Sequence, residues 1–409
     1  MIMLSKIPSL QYLERYRNEG TRTYSSHAAY TEAGDLYRPD SEHERFFIDA
    51  YKLPKENLLI YTADPPPLLA SQYLTPSKAW FLVHPQLLDC CPAEPYLKRT
   101  LDLSVDRRLI SVKPSSSTRT LFVEAPGPPH AVKVHFPFKV SRYTRKMRDE
   151  VIEQAVNVSG ELQAGIGLMD SRFAFMREVI GVAHRDLQPN SPRGENWGYL
   201  LRDMTPFPDS GAKRPLIPGF TLYGRDFFDP GSPLLLYDLI GDHDPLAYVL
   251  ENVMLPIVRH WTAAFGNFGY ILEPHGQNVL LELNEAGTIG RIVHRDLSVG
   301  IHMGRRRDIG LPDGNLNEYN RTEHNAFCSI TYDRFIGGHF FDRLVEACQA
   351  RYLGLVKEDF TRPCREEFAR GLPEYAAYFP PTVWYFSEQR DQFNKPLHMD
   401  TGAAPEWRP

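Results

Sequence analysis

Cysteine is scarce and irregularly spaced in this chain. Only Cys90, Cys91, Cys328, Cys348 and Cys364 occur in 409 residues, with no C-x-x-C pair among them. That spacing excludes a disulfide framework and a structural zinc site of the usual kind. The adjacent Cys90 and Cys91 read as a buried thiol pair rather than a redox device. No apolar run approaches the roughly 20 residues needed to span a bilayer, and Met1 to Leu10 lacks the apolar segment of a secretory signal. A cytoplasmic protein without membrane partners is therefore expected. Positive charge is not in excess, since 46 Lys and Arg face 51 Asp and Glu for a net charge of -5 and a pI near 6.3. That balance argues against nucleic acid as a partner, although local basic clusters can still bind small anions. A glycine-rich Walker loop, an internal repeat and a low-complexity tract are all missing.

What is present supports a large folded enzyme. A content of 42% hydrophobic and 12% aromatic residues is enough for a full core, and the length suits two to three domain-sized units or one multi-lobed body. The most informative stretch is Glu273-Pro274-His275-Gly276-Gln277-Asn278, which crowds a carboxylate, an imidazole and two amides before an apolar run from Val279 to Leu283. The period-two spacing of Glu273, His275 and Gln277 puts them on one face of an extended segment. Asn284 to Gly287 reads as a turn, and Ile289 to Val293 as a returning strand that delivers His294-Arg295-Asp296 to the first cluster. Such a hairpin has the parts of a metal-nucleotide or carboxylate site.

Upstream, Gln11 to Arg17 and Glu42 to Tyr51 read as helices, and Ala79 to Val83 as a buried strand ending at His84-Pro85-Gln86. His84 is open to two readings, a structural residue or a ligand group. Arg108 to Lys113 and Leu121 to Val123 read as strands around Ser115-Ser116-Ser117-Thr118-Arg119-Thr120. That loop offers hydroxyls to orient phosphate oxygens and a guanidinium to supply charge, or forms an ordinary solvated turn. Alternation in Ala131 to Phe136 sets Lys133 and His135 on one face. Ser141 to Lys146 is basic and reads as the start of a helix running to about Gln163, where an anion would relieve the crowding around Arg145.

Ala174 to Val179 and Trp197 to Asp203 read as adjacent strands, with His184 to Asn190 as an exposed loop between them. Its His184-Arg185-Asp186-Leu187 approaches a protein-kinase catalytic loop, but the glycine-rich loop and the later Asp-Phe-Gly motif are missing, and His294 to Leu297 repeats the tetrapeptide. Residues 204 to 235 are rich in proline and glycine and read as a lobe boundary. Ala247 to Phe268 has helical apolar spacing. Met303 to Asn320 reads as a loop whose Arg305-Arg306-Arg307 is a solvated edge or an anion clamp. Thr322 to Tyr352 reads as mainly helical, with short helices around Asp359 to Glu374 and a disordered end from Asn394.

Taken in order, these motifs resemble the NRPS-independent siderophore synthetase family, the aerobactin-synthetase-like (IucA/IucC-type) enzymes. The resemblance rests on His84-Pro85, Ser117-Thr118-Arg119-Thr120, Lys133, Arg145, Glu178, Arg202, Glu273 to Asn278 and Arg295-Asp296, over about residues 80 to 345. It departs in the reduced region before Ser117 and in Pro274, where a small residue is more usual. The resemblance implies an α+β cupped-hand fold with antiparallel sheets flanked by helices. Its regions would be a reduced thumb-like part at 1 to 110, nucleotide-binding fingers at 111 to 240 and a palm at 241 to 409.

The implied chemistry uses ATP and Mg²⁺ to adenylate a carboxylic acid, such as citrate, and passes the acyl group to an amine or alcohol. By the same resemblance Ser117, Arg119, Thr120 and Lys133 hold the ATP phosphates, with Gln277 and Asn278 on the nucleotide or metal. Arg145, His275 and His84 bind the carboxylate, Glu273 and Asp296 lie near Mg²⁺, and His275, Arg145 and Lys133 are the catalytic candidates. Homodimers are common in the family. Two other readings compete: a kinase-like phosphotransferase that releases ADP, and a non-catalytic ligand-binding relative.

Overall fold

The protein is described by a computed structural model covering residues 7–19, 30–140, 143–185, 196–312, 321–322, 336–337 and 340–378, with short pieces at 383–385, 389–390, 396–397 and 406–408. Its frame is one 11-stranded sheet. In chain order the strands are β1 (Phe46–Pro54), β2 (Leu58–Thr62), β3 (Lys78–Val83), β4 (Arg107–Pro114), β5 (Thr120–Val123), β6 (His130–Val134), β7 (Phe173–His184), β8 (Gly198–Phe207), β9 (Leu216–Pro218), β10 (Val279–Leu283) and β11 (Ile289–His294). They lie side by side as β9-β10-β11-β7-β8-β6-β5-β4-β1-β3, with β2 also on β7. Every pairing in this sheet is antiparallel except that of β11 with β7. The α+β class expected from the sequence holds, and each of the three expected regions contributes strands to this one sheet.

Among the described helices are α1 (Leu10–Tyr16), α2 (Asp149–Ala164), α3 (Leu255–Phe268), α4 (Asp342–Arg351) and α5 (Lys357–Gly371), which pack buried residues into the core. In α2 the buried positions Val151, Ile152, Ala155, Val156, Ser159 and Leu162 recur at three- and four-residue intervals, which gives one apolar face. Asp149 and Glu150 favour the positive end of its dipole. That face covers Ala183 on β7 and Leu200 on β8. The second large core surrounds α3, where Trp261 is fully buried, stacks on Phe265 at 5.4 Å and donates to Leu272 O at 3.1 Å. α3 ends at Gly269 with φ of +70°, where a Cβ would lie 2.7 Å from Arg306 Cγ; only glycine fits that left-handed cap. Among the described residues no helix is long and apolar enough to cross a membrane.

Several local expectations give way to tertiary packing. Glu42 to Tyr51 contains the start of β1 rather than a helix, because Ile48, Ala50 and Leu53 are needed inside a strand held between β3 and β4. The stretch from Ser141 does not open the long helix. Tyr143–Arg145 is a short strand paired with Phe136–Val140, and α2 begins only at Asp149. Residues 204 to 235 supply β9 and the fully buried Phe220 and Leu222 to the core, so they are not a bare linker. Met303–Asp308 is helical, and Arg306 is buried against Glu161, Phe268 O and Pro312 O rather than on a solvated edge.

Cys90 is exposed and Cys91 half-buried, which corrects the buried pair; Cys90, Cys91, Cys348 and Cys364 are all free thiols. His184 ends β7 in full burial, with Nε2 2.7 Å from Thr100 Oγ1, instead of in an exposed loop. Arg185 is exposed, and the rest of that expected loop, residues 186–190, lies outside the described residues. So do Cys328 and, within the stretch from Thr322 to Tyr352 expected to be helical, residues 323–335 and 338–339, while its end, Asp342–Arg351, is the helix α4. Of the tail from Asn394, Pro396–Leu397 and Glu406–Arg408 are described, each in a short strand pair.

Trp261→Ala should cost about 3–5 kcal/mol of stability in denaturant unfolding. A cost below about 1 kcal/mol would contradict the packing described around α3.

Candidate active site

Strand register gathers the site before any side chain is considered. Lys133 on β6 faces Thr120 on β5 and Leu200 on β8, and Arg202 on β8 faces Glu178 on β7. Residues directly opposite one another share a face. Thr120 and Lys133 are therefore displayed on the side that α2 covers farther along, and Arg202 follows Leu200 by two residues on that side. The β4–β5 connection, Ser115 to Arg119, closes over this spot through Ser115 N–H to Thr120 O at 2.9 Å. Its tightness demands a left-handed Thr118, at φ +67°. Ser117 Oγ accepts from Thr120 N at 3.2 Å, and Arg119 Nη1 donates to Lys146 O at 2.8 Å.

The β10–β11 hairpin supplies the opposite wall, in a form that differs from the expected extended face. Residues 275 to 278 make a turn, with His275 N donating to Glu273 O and Asn278 N to His275 O, both at 2.9 Å. The strand starts only at Val279. Gly276 allows that turn, because a Cβ would meet Tyr223 Oη at 2.6 Å and Phe220 N at 3.0 Å. Arg295 N–H to Asn278 O at 3.0 Å closes the mouth of the hairpin and brings Asp296 round to the cleft.

Ser115, Ser116, Ser117, Arg119, Thr120, Lys133, Arg145 and Arg202 line this cleft from one side, with Gln277, Asn278, Arg295 and Asp296 from the other. Nine residues named as candidates from the sequence are thus brought together or beside it: Ser117, Arg119, Thr120, Lys133, Arg145, Gln277, Asn278, Asp296 and, through its electrostatic coupling, Glu273. His275 does not line the cleft; its Nδ1 accepts from Gln277 N at 3.2 Å.

His84 must be withdrawn as a ligand group. It is fully buried, caps a short helix by accepting from Gln86 N, and its ring lies 4.7 Å from those of Tyr37 and Phe136. Burial pulls its pKa down to about 3, so it stays neutral.

Charge pairing orders the cleft. Lys133 Nζ meets Asp296 Oδ1 at 2.7 Å, across 163 residues of sequence. Burial lowers the Lys133 pKa and Asp296 opposes it. For Asp296 burial pushes upward, but Lys133 and Arg202 outweigh it and hold the carboxyl well below the usual range. Arg202 grips Glu178 Oε1 at 2.6 and 3.0 Å, both residues fully buried or nearly so. Arg295 Nη2 lies 2.5 Å from Glu14 Oε1.

Two groups stand apart. Among the described residues Arg145 has no partner for its buried Nε, and Glu273 has no hydrogen-bond donor for its carboxylate. Burial, reinforced by the negative charge of Asp296, raises Glu273 to about 7. The sequence offered no signal for Glu14, far along the chain from its partner Arg295.

The fold is that of the NRPS-independent siderophore synthetases. Petrobactin biosynthesis protein AsbB from Bacillus anthracis matches 92% of this chain over 71% of its own, with a TM-score of 0.71 and 16% identity. ATP-bound aerobactin synthetase IucA from Klebsiella pneumoniae matches 93% over 73% of its chain, with a TM-score of 0.68 and 13% identity. Aerobactin synthetase IucC from the same organism matches 93% over 73%, with a TM-score of 0.66 and 15% identity. Identities this low carry the fold and not the chemistry. No protein-family model matches the chain, and no curated protein matches it in sequence.

The raised Glu273 pKa gives a signed expectation. Below pH 4.5 the group is protonated both folded and unfolded and costs nothing. As pH rises from 4.5 towards 7, the unfolded chain releases the proton first and the folded state loses stability. Without divalent cations, Glu273→Gln should therefore be more stable than wild type by about 1–3 kcal/mol at about pH 8. That difference should vanish near pH 4 in paired denaturation curves. An equal difference at both pH values would contradict the assignment.

Proposed function

We propose that the chain is an ATP- and Mg²⁺-dependent ligase of the siderophore-synthetase type, which adenylates a carboxylic acid and transfers the acyl group to an amine or alcohol. The observation that carries the proposal is the cleft itself, where Arg119, Lys133, Arg145, Arg202 and Arg295 converge on a hydroxyl-rich loop with Asp296 opposite. Several cations around a small polar space suit the triphosphate and carboxylate anions that such a reaction brings together.

In this reading Ser117 and Thr120 orient phosphate oxygens, Arg119 and Lys133 neutralise them, and Gln277 and Asn278 hold the nucleotide. Arg145, whose guanidinium is not taken by a carboxylate of the described residues, binds the acid substrate. A carboxylate oxygen bonds to the α-phosphorus as the bond to pyrophosphate breaks, and the positive groups offset the repulsion between the two anions. The acceptor then attacks the acyl carbon, loses a proton, and AMP departs. His275 stands outside the cleft lining with its Nδ1 accepting from Gln277 N, so in this reading it positions the turn that carries Gln277 and Asn278 rather than touching the acyl-adenylate.

Mg²⁺ fits the donors beside Lys133. Asp296 and Glu273 are hard oxygen ligands, and a bound cation would relieve both the burial that chiefly raises Glu273 and the added repulsion from Asp296. Among the described residues no three His, Cys, Asp or Glu side chains converge, so phosphate oxygens and water would complete the shell. When bound, the ion would supply charge neutralisation on the phosphates. Residues 111 to 240 would then act as fingers, 241 to 409 as palm and 1 to 110 as a reduced thumb. The acid would be citrate or a related di- or tricarboxylate. The setting would be siderophore or related specialised-metabolite assembly in the cytoplasm, with each subunit of a homodimer carrying its own site.

The test is turnover of ATP with a panel of di- and tricarboxylates and of polyamine, amino-acid and hydroxylamine acceptors. AMP and pyrophosphate should appear with one acid, and both Arg119→Ala and His275→Ala should lower the rate by about 10²-fold. Chelation of divalent cations should abolish it. ADP as the product, or unchanged rates in both variants, would overturn the proposal.

A further inference from the structure

We infer that Glu14, on the N-terminal helix α1, is a positioning residue of this cleft, locking the serine loop to the mouth of the β10–β11 hairpin. The inference rests on the proposed nucleotide site only for its turnover readout; the geometry stands without it.

Glu14 is fully buried, and a buried carboxylate is costly unless its oxygens are engaged. Oε2 accepts from Ser116 N at 3.0 Å and from Ser116 Oγ at 2.6 Å, and Oε1, which accepts no hydrogen bond among the described residues, is compensated by the charge of Arg295, whose Nη2 lies 2.5 Å away. Arg295 Nε in turn donates to Gln277 O at 2.7 Å, and Gln277 Nε2 donates to Ser116 Oγ at 3.1 Å. The result is a closed ring of four residues drawn from three remote segments: α1, the loop 102 residues later, and the hairpin 161 residues beyond that loop. Ser116, Gln277 and Arg295 line the cleft and Glu14 does not. It therefore acts through the other three, fixing where Ser117 and Arg119 stand relative to Gln277 and Asn278.

The chemistry calls for glutamate at this position. Glutamine has one acceptor oxygen, and its amide would point N–H groups at either Ser116 N–H or the Arg295 guanidinium. One donor would then be left unsatisfied beside a buried positive charge. Meanwhile α1 has anchors independent of Glu14. Arg15 donates to the carbonyls of Pro39, Ser41, His43 and Glu44, and Arg17 pairs with Asp226 at 3.2 Å. Losing Glu14 should thus loosen the loop and hairpin without releasing the helix, whereas losing Arg17 should loosen the helix without opening the ring.

Hydrogen exchange of the ligand-free full chain separates these effects. In Glu14→Gln and Glu14→Ala, peptides covering residues 115–120 and 275–279 should exchange faster than in wild type, and Arg17→Ala should leave both near wild-type rates. KM for ATP should rise by roughly tenfold to a hundredfold in the Glu14 variants, the size of effect that small misplacements of a binding group produce. Unchanged exchange in Glu14→Gln, or the same increase in Arg17→Ala, would overturn the inference. Should Glu14→Ala fail to fold, Glu14→Gln, which keeps the volume, decides alone. If wild type binds no ATP, the proposed function fails, and the exchange comparison still decides the role of Glu14.

Discussion

The Lys133–Asp296 ion pair is the constraint on which the site depends. Its two ends come from β6, near the middle of the sheet, and from the turn after β11, beyond β7 and β8. Neither residue could be placed here by local structure. The strand order brings them within 2.7 Å, and the hairpin must register correctly on β7 for that to happen. A buried pair of this kind adds little net stability, since desolvation consumes most of the Coulomb gain. Its contribution is to fix a geometry: it holds a cation and an anion in fixed relation at the edge of a polar cleft. Asp296 needs a left-handed backbone, φ +69°, to reach it, and strain of this sort is concentrated where function needs a side chain aimed.

Around that pair, the neighbouring charges are committed in a consistent way. Arg202 is bound to Glu178, Arg295 to Glu14, and Arg119 to a backbone carbonyl. The cleft therefore carries strong local potential while its framework stays pre-organised, which is the arrangement that stabilises developing negative charge without reorganisation at the moment of reaction. Among the described residues, Arg145 and Glu273 are the groups left for ligands to complete. One lacks an anion and the other lacks a cation, the two needs that the proposed anionic substrate and metal ion would meet together.

Much of this was legible in the sequence, and the failures have a common cause. β3 to β8 were readable because Val, Ile, Leu and Phe alternate or run continuously there, and the hairpin at Asn284 to Gly287 because its turn residues are unambiguous. Ser117, Arg119, Lys133, Gln277, Asn278 and Asp296 stood out as hydroxyl, charged and amide groups beside strands, their expected roles came from the resemblance to the synthetases, and the structure brings them to one cleft. What failed was anything decided by distant packing. Phe46 to Tyr51 has no period that excludes a helix, and β3 and β4 settle it. The turn at Glu273 to Asn278 is imposed by Gly276 lying against Phe220. His84 and His184 look like ligands or loop residues until the aromatic rings that bury them are in place. Glu14 was invisible because both of its partners are remote in the chain, on segments that only the sheet brings to α1.

The decisive measurement is ATP–pyrophosphate exchange with a carboxylic acid present and every acceptor omitted. Reversible formation of an acyl-adenylate requires the acid and ATP alone, so labelled pyrophosphate should enter ATP with at least one di- or tricarboxylate, and Arg145→Ala should suppress that exchange. ATP binding without exchange for any carboxylic acid, or release of ADP in its place, would contradict the reading of the cleft as an adenylating site.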